Sequence, residues 1–214
     1  MAAAPPERPA AVAGRLRAAA LLAAVLALFF APALLGPGQF LSRDNGRMHA
    51  PVKRLVAEEL RRGRLPEWNP YGGLGYPMVG GAVDAVQHPF HLLFLAPPFE
   101  APLQALALLS FLLAAGGAFA WARAWGCSPE ASLLAGLAFA MAGPTVSASD
   151  NLTYLAAAAA LPWVLWAGRR WQEAGGAGRL ALVGAASGLC AAAGDPQGWA
   201  LSVALLPIQA LAAA

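Results

Sequence analysis

FLSRDNGRMHAPVKRLVAEELRRGRLPEWNPYGGLGYPMVGGAVDAVQHPFHLLFLAPP, residues 40–98, decides how this chain is read. The stretch holds all three histidines and five of the eleven acidic residues. It lies between segments that are almost wholly apolar. Chemistry is therefore expected in this loop, with the remaining chain as its platform.

Working outward, the 214 residues are 59% hydrophobic and 12% charged, with mean hydropathy +0.56. A soluble domain carries roughly 25% charged residues. Half that figure, with long apolar runs, implies an all-α, polytopic membrane protein. The net charge of +3 is small. It reports on orientation and does not point to nucleic acid. Cys127 and Cys190 show neither metal-type spacing nor a disulfide framework, and read as small apolar residues.

The sequence predicts about six transmembrane helices with a long first external loop, residues 36–98. Residues 1–14 are Ala/Pro-rich and are expected to be disordered. Arg15 and Arg17 introduce a first helix over about 16–35, near the ~20 residues that a bilayer core requires. A cleaved signal peptide is the competing reading of that segment. Later spans fall at about 101–122, 130–147 (broken near Gly143-Pro144), 153–168 (with Pro162 inside), 179–193 and 199–214. Gly116, Gly117, Gly136 and Gly184 are candidates for close helix approach. The last span has no polar tail, so 15–214 reads as the N-terminal portion of a larger membrane domain.

Within the loop, Pro51 to Arg64 has helical periodicity. Val52, Leu55, Val56 and Leu60 share one face, and Lys53, Arg54, Glu58, Glu59, Arg61 and Arg62 lie elsewhere. The pattern fits an amphipathic helix lying in the membrane interface. Proline and glycine from Pro66 to Gly81 dictate a turn-rich path. Trp68, Tyr71 and Tyr76 suit an aromatic belt. His88 to Leu95 is expected to form a short re-entrant or interfacial helix.

Basic residues before the first span, after the second, and between the fourth and fifth place the N-terminus in the cytoplasm and the loop outside. That topology carries Asp150, Asn151, Asp195 and Gln197 to the external face as well. Asp44 could act as a general base or metal ligand, or simply cap a helix or pair with Arg43 or Arg47. Arg47, Lys53 and Arg54 could bind a lipid phosphate or be drawn to anionic headgroups. Asp84, His88 and His91, which His49 could join, have spacing compatible with a divalent transition metal. Loop hydrogen bonding is the alternative. Asp150 and Asp195 stand where spans break and are either functional groups or turn caps. No Walker, GxSxG, HExxH or dinucleotide motif occurs.

RDNGRMHAPVKRLVAEELRRGRLPEWNPYGGLGYPM, QHPFHLLFL, LPWVLWAGRRW and GDPQ together resemble the N-terminal part of the YfhO-type bacterial membrane proteins, assigned to the C-fold glycosyltransferase superfamily. The resemblance covers about residues 15–214, and LPEWNPYGGLGYP is its most specific piece. It implies an inner-membrane enzyme that moves a sugar from a polyprenyl-phosphate donor to an extracytoplasmic acceptor. By the same match Asp44 would be the catalytic base, with a divalent metal as the candidate cofactor. Arg47 would contact donor phosphate. Lys53, Arg54, Trp68, Asn69, Tyr71, Asp84, His88, Asp150, Asp195 and Gln197 are candidate substrate contacts. Asn45, not a second acid, follows Asp44. A transporter or flippase-like module, or a non-catalytic lipid-binding assembly protein, are the other classes compatible with the pattern.

Overall fold

The computed structural model describes residues 9–36, 43–96 and 99–213. Among the described residues the fold is all-α apart from one hairpin of two two-residue strands. Helices α1 (Pro9–Phe29) and α2 (Ala31–Leu35) precede the loop. The loop contains a π-helical turn (Asn45–His49), helix α3 (Ala50–Arg61), strands β1 (Trp68–Asn69) and β2 (Tyr76–Pro77), and a 3-10 helix (Pro89–Leu95). Then come α4 (Glu100–Ala124), α5 (Pro129–Ala140), α6 (Gly143–Ser147), α7 (Leu152–Ala174), α8 (Ala177–Ala192) and α9 (Pro196–Ala212).

Local chemistry sets these boundaries. Ser128, Asn151 and Asp195 stand at the N-caps of α5, α7 and α9, and each side chain accepts a backbone N–H from the first turn. Pro129 and Pro196 follow two of these caps, where a missing N–H costs nothing. Gly175 ends α7 at φ +60. The first helix starts earlier than expected, at Pro9, so the region assigned to disorder is helical from there; residues 1–8 lie outside the described residues. The break expected at Gly143-Pro144 is present as a 43° bend between Pro129–Ala140 and Gly143–Asp150.

Helix α7 is the centre of the bundle. It packs against α4, α8 and α9, while α4 also packs on α5, and α1 lies against both. Leu103, Ala107, Phe111, Ala114, Leu155 and Ala159 form the dry seam between α4 and α7. Two of the expected glycine contacts are real: a Cβ on Gly117 would stand 2.8 Å from the Trp163 ring, and one on Gly136 would stand 2.7 Å from the Ala115 carbonyl. Gly116 has only ordinary contact with Trp163, and Gly184 faces open space. Trp163 Nε1 donates to the Leu113 carbonyl at 2.9 Å, which pins α7 to α4.

Among the described residues one helix, over Ala101–Ala124, is by itself long and apolar enough to cross a membrane; the bent α5–α6 pair also qualifies if it is taken as one span. The others fall short for definite reasons. At 1.5 Å per residue, the 16 residues of α8 reach about 24 Å, against a hydrocarbon core of about 30 Å. Helix α7 is long enough, but it ends in Arg169, Arg170 and Glu173.

The amphipathic helix forms as α3, but it sits differently from the expectation. Its buried residues are Ala50, Lys53, Val56 and Ala57, and it packs against the 3-10 helix. Val52, Leu55 and Leu60 are half-buried. The inward face is thus rotated so that Lys53 joins it. Arg61 secures the pairing by donating to the Phe94 carbonyl at 2.8 Å.

Candidate functional site

The loop is stitched to the helical platform at the start of α7. Asn45 is fully buried. Its Nδ2 donates to the Ser149 carbonyl at 2.7 Å, and its Oδ1 accepts from Leu152 N at 3.1 Å. Next to it, Asn151 Oδ1 accepts from Tyr154 N, from Thr153 Oγ1 at 2.7 Å and from His49 Nε2 at 3.1 Å. A backbone N–H can only donate, so this cap fixes which end of the Asn151 amide is oxygen. The Asn151 Nδ2 therefore faces outward and donates to Asp44 Oδ2 at 3.3 Å. Arg43 adds an ion pair with Asp150 at 3.1 Å. Its backbone holds φ +49 immediately before Asp44, a conformation that costs a non-glycine residue about 1–2 kcal/mol.

Asp44, Asn151 and His49 thus form one hydrogen-bonded row. Asp44 is at its exposed end and His49 at its buried end. Burial, reinforced by the Lys53 charge, holds the His49 imidazole down to about 4. At neutral pH His49 is an uncharged donor to Asn151 and not an acid.

Beyond His49 opens a cleft of about 580 Å³ between the start of α3 and the hairpin loop. That volume is typical of small-molecule sites. Arg47 and His49 line one wall; Asn69, Tyr71, Tyr76 and Asp84 line the other. The second wall is a directed chain. Asn69 Oδ1 accepts from Tyr71 N at 2.9 Å, so Asn69 Nδ2 is free to donate to the Tyr76 oxygen at 3.0 Å. The Tyr76 hydroxyl then donates to Asp84 Oδ1 at 3.1 Å. The GGLG turn makes this hairpin possible, because a Cβ on Gly72 would lie 2.6 Å from the Tyr76 ring and one on Gly75 2.6 Å from the Trp68 ring.

Lys53 lies behind this wall. Its Nζ donates to the Asp84 carbonyl at 3.1 Å, and burial pulls the ammonium down to about 8 even though Asp84 opposes the shift. Burial likewise raises the Asp84 carboxyl, while Tyr76 and Lys53 hold it back. The expectation that Lys53 reaches a lipid phosphate is therefore corrected: the loop's own carbonyl and carboxylate draw the ammonium into the fold. Arg54 stacks over the Phe99 ring at 4.4 Å and does not line the cleft.

The metal expectation fails on geometry. Among the described residues no three His, Cys, Asp or Glu side chains gather as a metal site. Asp84 faces Tyr76. His88 Nδ1 accepts from Phe90 N as a cap of the 3-10 helix, and His91 Nδ1 donates to the His88 carbonyl. His91 Nε2 is then a buried lone pair with no partner. Burial holds His88 at about 4 and His91 at about 3, with Lys53 adding to both shifts. Pro89 between them starts the 3-10 helix.

Asp195 caps α9 through Gln197 N at 3.1 Å, and the Gln197 residue is exposed. The segment nevertheless meets the loop, since a Cβ on Gly194 would lie 2.5 Å from the Ala82 carbonyl. Trp68 is half exposed and rests on Gly75. The structure therefore brings Asp44, Asp150, Asp84 and the Gly194–Asp195 turn to one end of the bundle. Sequence reasoning missed the stitching roles of Asn45 and His49 and the hydroxyl of Tyr76. It also missed a buried bridge in which Gln209 accepts from Trp121 Nε1 at 2.6 Å and donates to the Leu165 carbonyl. Comparison with protein-family models, curated proteins and solved structures gives no match.

Proposed function

We propose that this chain is a membrane glycosyltransferase, or the N-terminal portion of one, that uses a polyprenyl-phosphate-linked sugar and an extracytoplasmic acceptor. The bundle would lie in a bacterial inner membrane with about six spans, its N-terminus cytoplasmic and the loop outside. The shorter helices α8 and α9 can be accommodated by local thinning and snorkelling of flanking residues. The observation that carries the reading is the row Asp44–Asn151–His49, which leads from an exposed carboxylate to a cleft holding Arg47. The quoted resemblance supplies the substrate class.

The chemistry balances with these groups. Asp44 takes the proton of an acceptor hydroxyl as that oxygen bonds to the sugar's anomeric carbon. The bond from that carbon to the phosphate oxygen breaks, and the phosphate leaves with the electron pair. It needs no strong acid because its charge is shared over its oxygens. The protein's tasks are proton removal and placement. Arg47 would hold the departing phosphate. An apolar groove of about 420 Å³ between α4, α7 and α8 reaches up to His88 and has the chemistry for an isoprenoid chain.

The test is transfer of labelled hexose from polyprenyl phosphate in vesicles containing the full chain. Asp44→Asn keeps the size and the Asn151 contact, and is expected to lower transfer at least a hundredfold with expression and membrane insertion intact. Normal transfer by Asp44→Asn defeats the catalytic role.

A further inference from the structure

The cleft's second wall carries a feature that the transfer chemistry does not use. Asp84 Oδ1 is committed to the Tyr76 hydroxyl, and the backbone carbonyl of Asp84 is committed to Lys53. Asp84 Oδ2 accepts no hydrogen bond from the described residues. Gly81 leaves room beside this oxygen, for a Cβ there would stand 3.2 Å from it. A carboxylate of a cleft-lining residue, fixed on one oxygen by a neutral hydroxyl and unbonded on the other, is an acceptor waiting for a donor.

The surroundings say which donor. A metal ion is disfavoured by the Lys53 ammonium directly behind and by the lack of further anionic ligands among the described residues. A phosphate at Asp84 would face a carboxylate. A purely apolar ligand would strand Asn69, Tyr76 and Asp84 without water. A neutral polyhydroxylated group has none of these conflicts. Its hydroxyls can donate to Asp84 Oδ2, and its apolar C–H face can rest on the exposed Tyr71 ring at the cleft wall. Arg47, on the opposite wall, is left for an anion.

We infer that Asp84, oriented by the Asn69–Tyr76 chain and anchored from behind by Lys53, is the specificity-determining contact to the hydroxyls of a glycosyl group bound in this cleft. The inference rests on the reading of the chain as a sugar-transferring protein, and it divides the site. Asp44 and Arg47 act on the reacting end, whereas Asp84 and Tyr76 read the sugar ring. Lys53 is a positioning residue with no contact to ligand.

The experiment is saturation-transfer NMR and calorimetry on the purified full chain in detergent, with a panel of methyl glycosides of common hexoses and N-acetylhexosamines. At least one glycoside should receive saturation. Its affinity should fall at least fivefold in Asp84→Asn and in Tyr76→Phe, and stay within twofold in Glu58→Gln, on the exposed side of α3. Tyr76→Phe keeps the ring and removes only the hydroxyl, so it tests the idea even where Asp84→Asn loosens the loop by depriving Lys53 of its counter-charge. No saturation with any glycoside, or unchanged affinity in Tyr76→Phe, overturns the inference. Binding needs neither donor lipid nor turnover. Glycoside binding that depends on Tyr76, found together with normal transfer by Asp44→Asn, would sink the catalytic reading and leave this site standing.

Discussion

Acid should open the loop before it disturbs the bundle. His49 and His88 are held at about 4 and His91 at about 3, each by burial with Lys53 adding to the effect. In an opened loop each returns to about 6.5. The folded values are depressed, so the open form binds more protons between these limits and stability falls as pH falls. At about pH 5 the linkage is worth about 2 kcal/mol for each histidine, or about 6 kcal/mol for the three. Asp84 acts in the opposite sense, because burial raises its carboxyl and protonation then favours the closed form. Its contribution is one group against three. Hydrogen–deuterium exchange of peptides from residues 45–96, corrected for intrinsic rate, should show protection falling by up to about four orders of magnitude between pH 7 and pH 5. Peptides from α4 and α7 should hold. His91→Leu removes one protonation site and the unpartnered Nε2, and should recover about thirtyfold of the lost protection. Equal loop protection at the two pH values would refute the claim that these imidazoles are buried and neutral in the closed loop.

Lys53 gives the alkaline counterpart. Its ammonium is lowered to about 8 from 10.5, so loop protection should rise with pH across that window by about 3 kcal/mol in total, and Lys53→Met should abolish the rise. Gly194→Ala should cost about 2–4 kcal/mol and detach the loop from α9, because φ is +96 and the new Cβ would meet the Ala82 carbonyl at 2.5 Å; thermal unfolding followed by tryptophan fluorescence measures it. The proposed topology puts the exposed native Cys127 in the cytoplasm and the exposed Met48 outside. An impermeant thiol reagent added to intact cells should therefore label Met48→Cys and spare Cys127, and the reverse pattern would overturn the orientation.

The helices were legible because apolar run length and caps are local properties. The α4 limits, the bend at Gly143 and the start of α7 follow from residues within one turn of each boundary, whereas α9 starts at Pro196, ahead of the expected 199, because Asp195 caps it. The identity of the inward face of α3 was not legible. Periodicity assigns Lys53 to the wet side by side-chain type alone, yet the residue faces inward because Asp84, 31 positions away, supplies a carbonyl and a charge. The metal reading failed for a related reason. Spacing put His88 and His91 three residues apart, but Pro89 opens a 3-10 helix, and the Nδ1 atoms are consumed by a cap and a carbonyl.

The same logic explains why Asn45 escaped notice although it is fully buried and bonded at both ends of its amide. Nothing in RDNGR distinguishes it from a turn asparagine. Its two partners are more than a hundred positions away: Ser149 O lies in the 3-10 turn Ala148–Asp150, and Leu152 N is an unsatisfied donor at the start of α7. A helix N-terminus leaves donors unpaired, and α7 meets that demand with one asparagine of its own and one from the loop. The loop is thereby held in place by the helix's own need for caps. Asp44 is the next residue in the chain, so its position relative to Asn151 is set by that stitch. Whatever chemistry Asp44 performs depends on two asparagines, Asn45 that ties the loop to the start of α7 and Asn151 that bonds Asp44 itself, and a sequence scan for acids, bases and metal ligands does not look there.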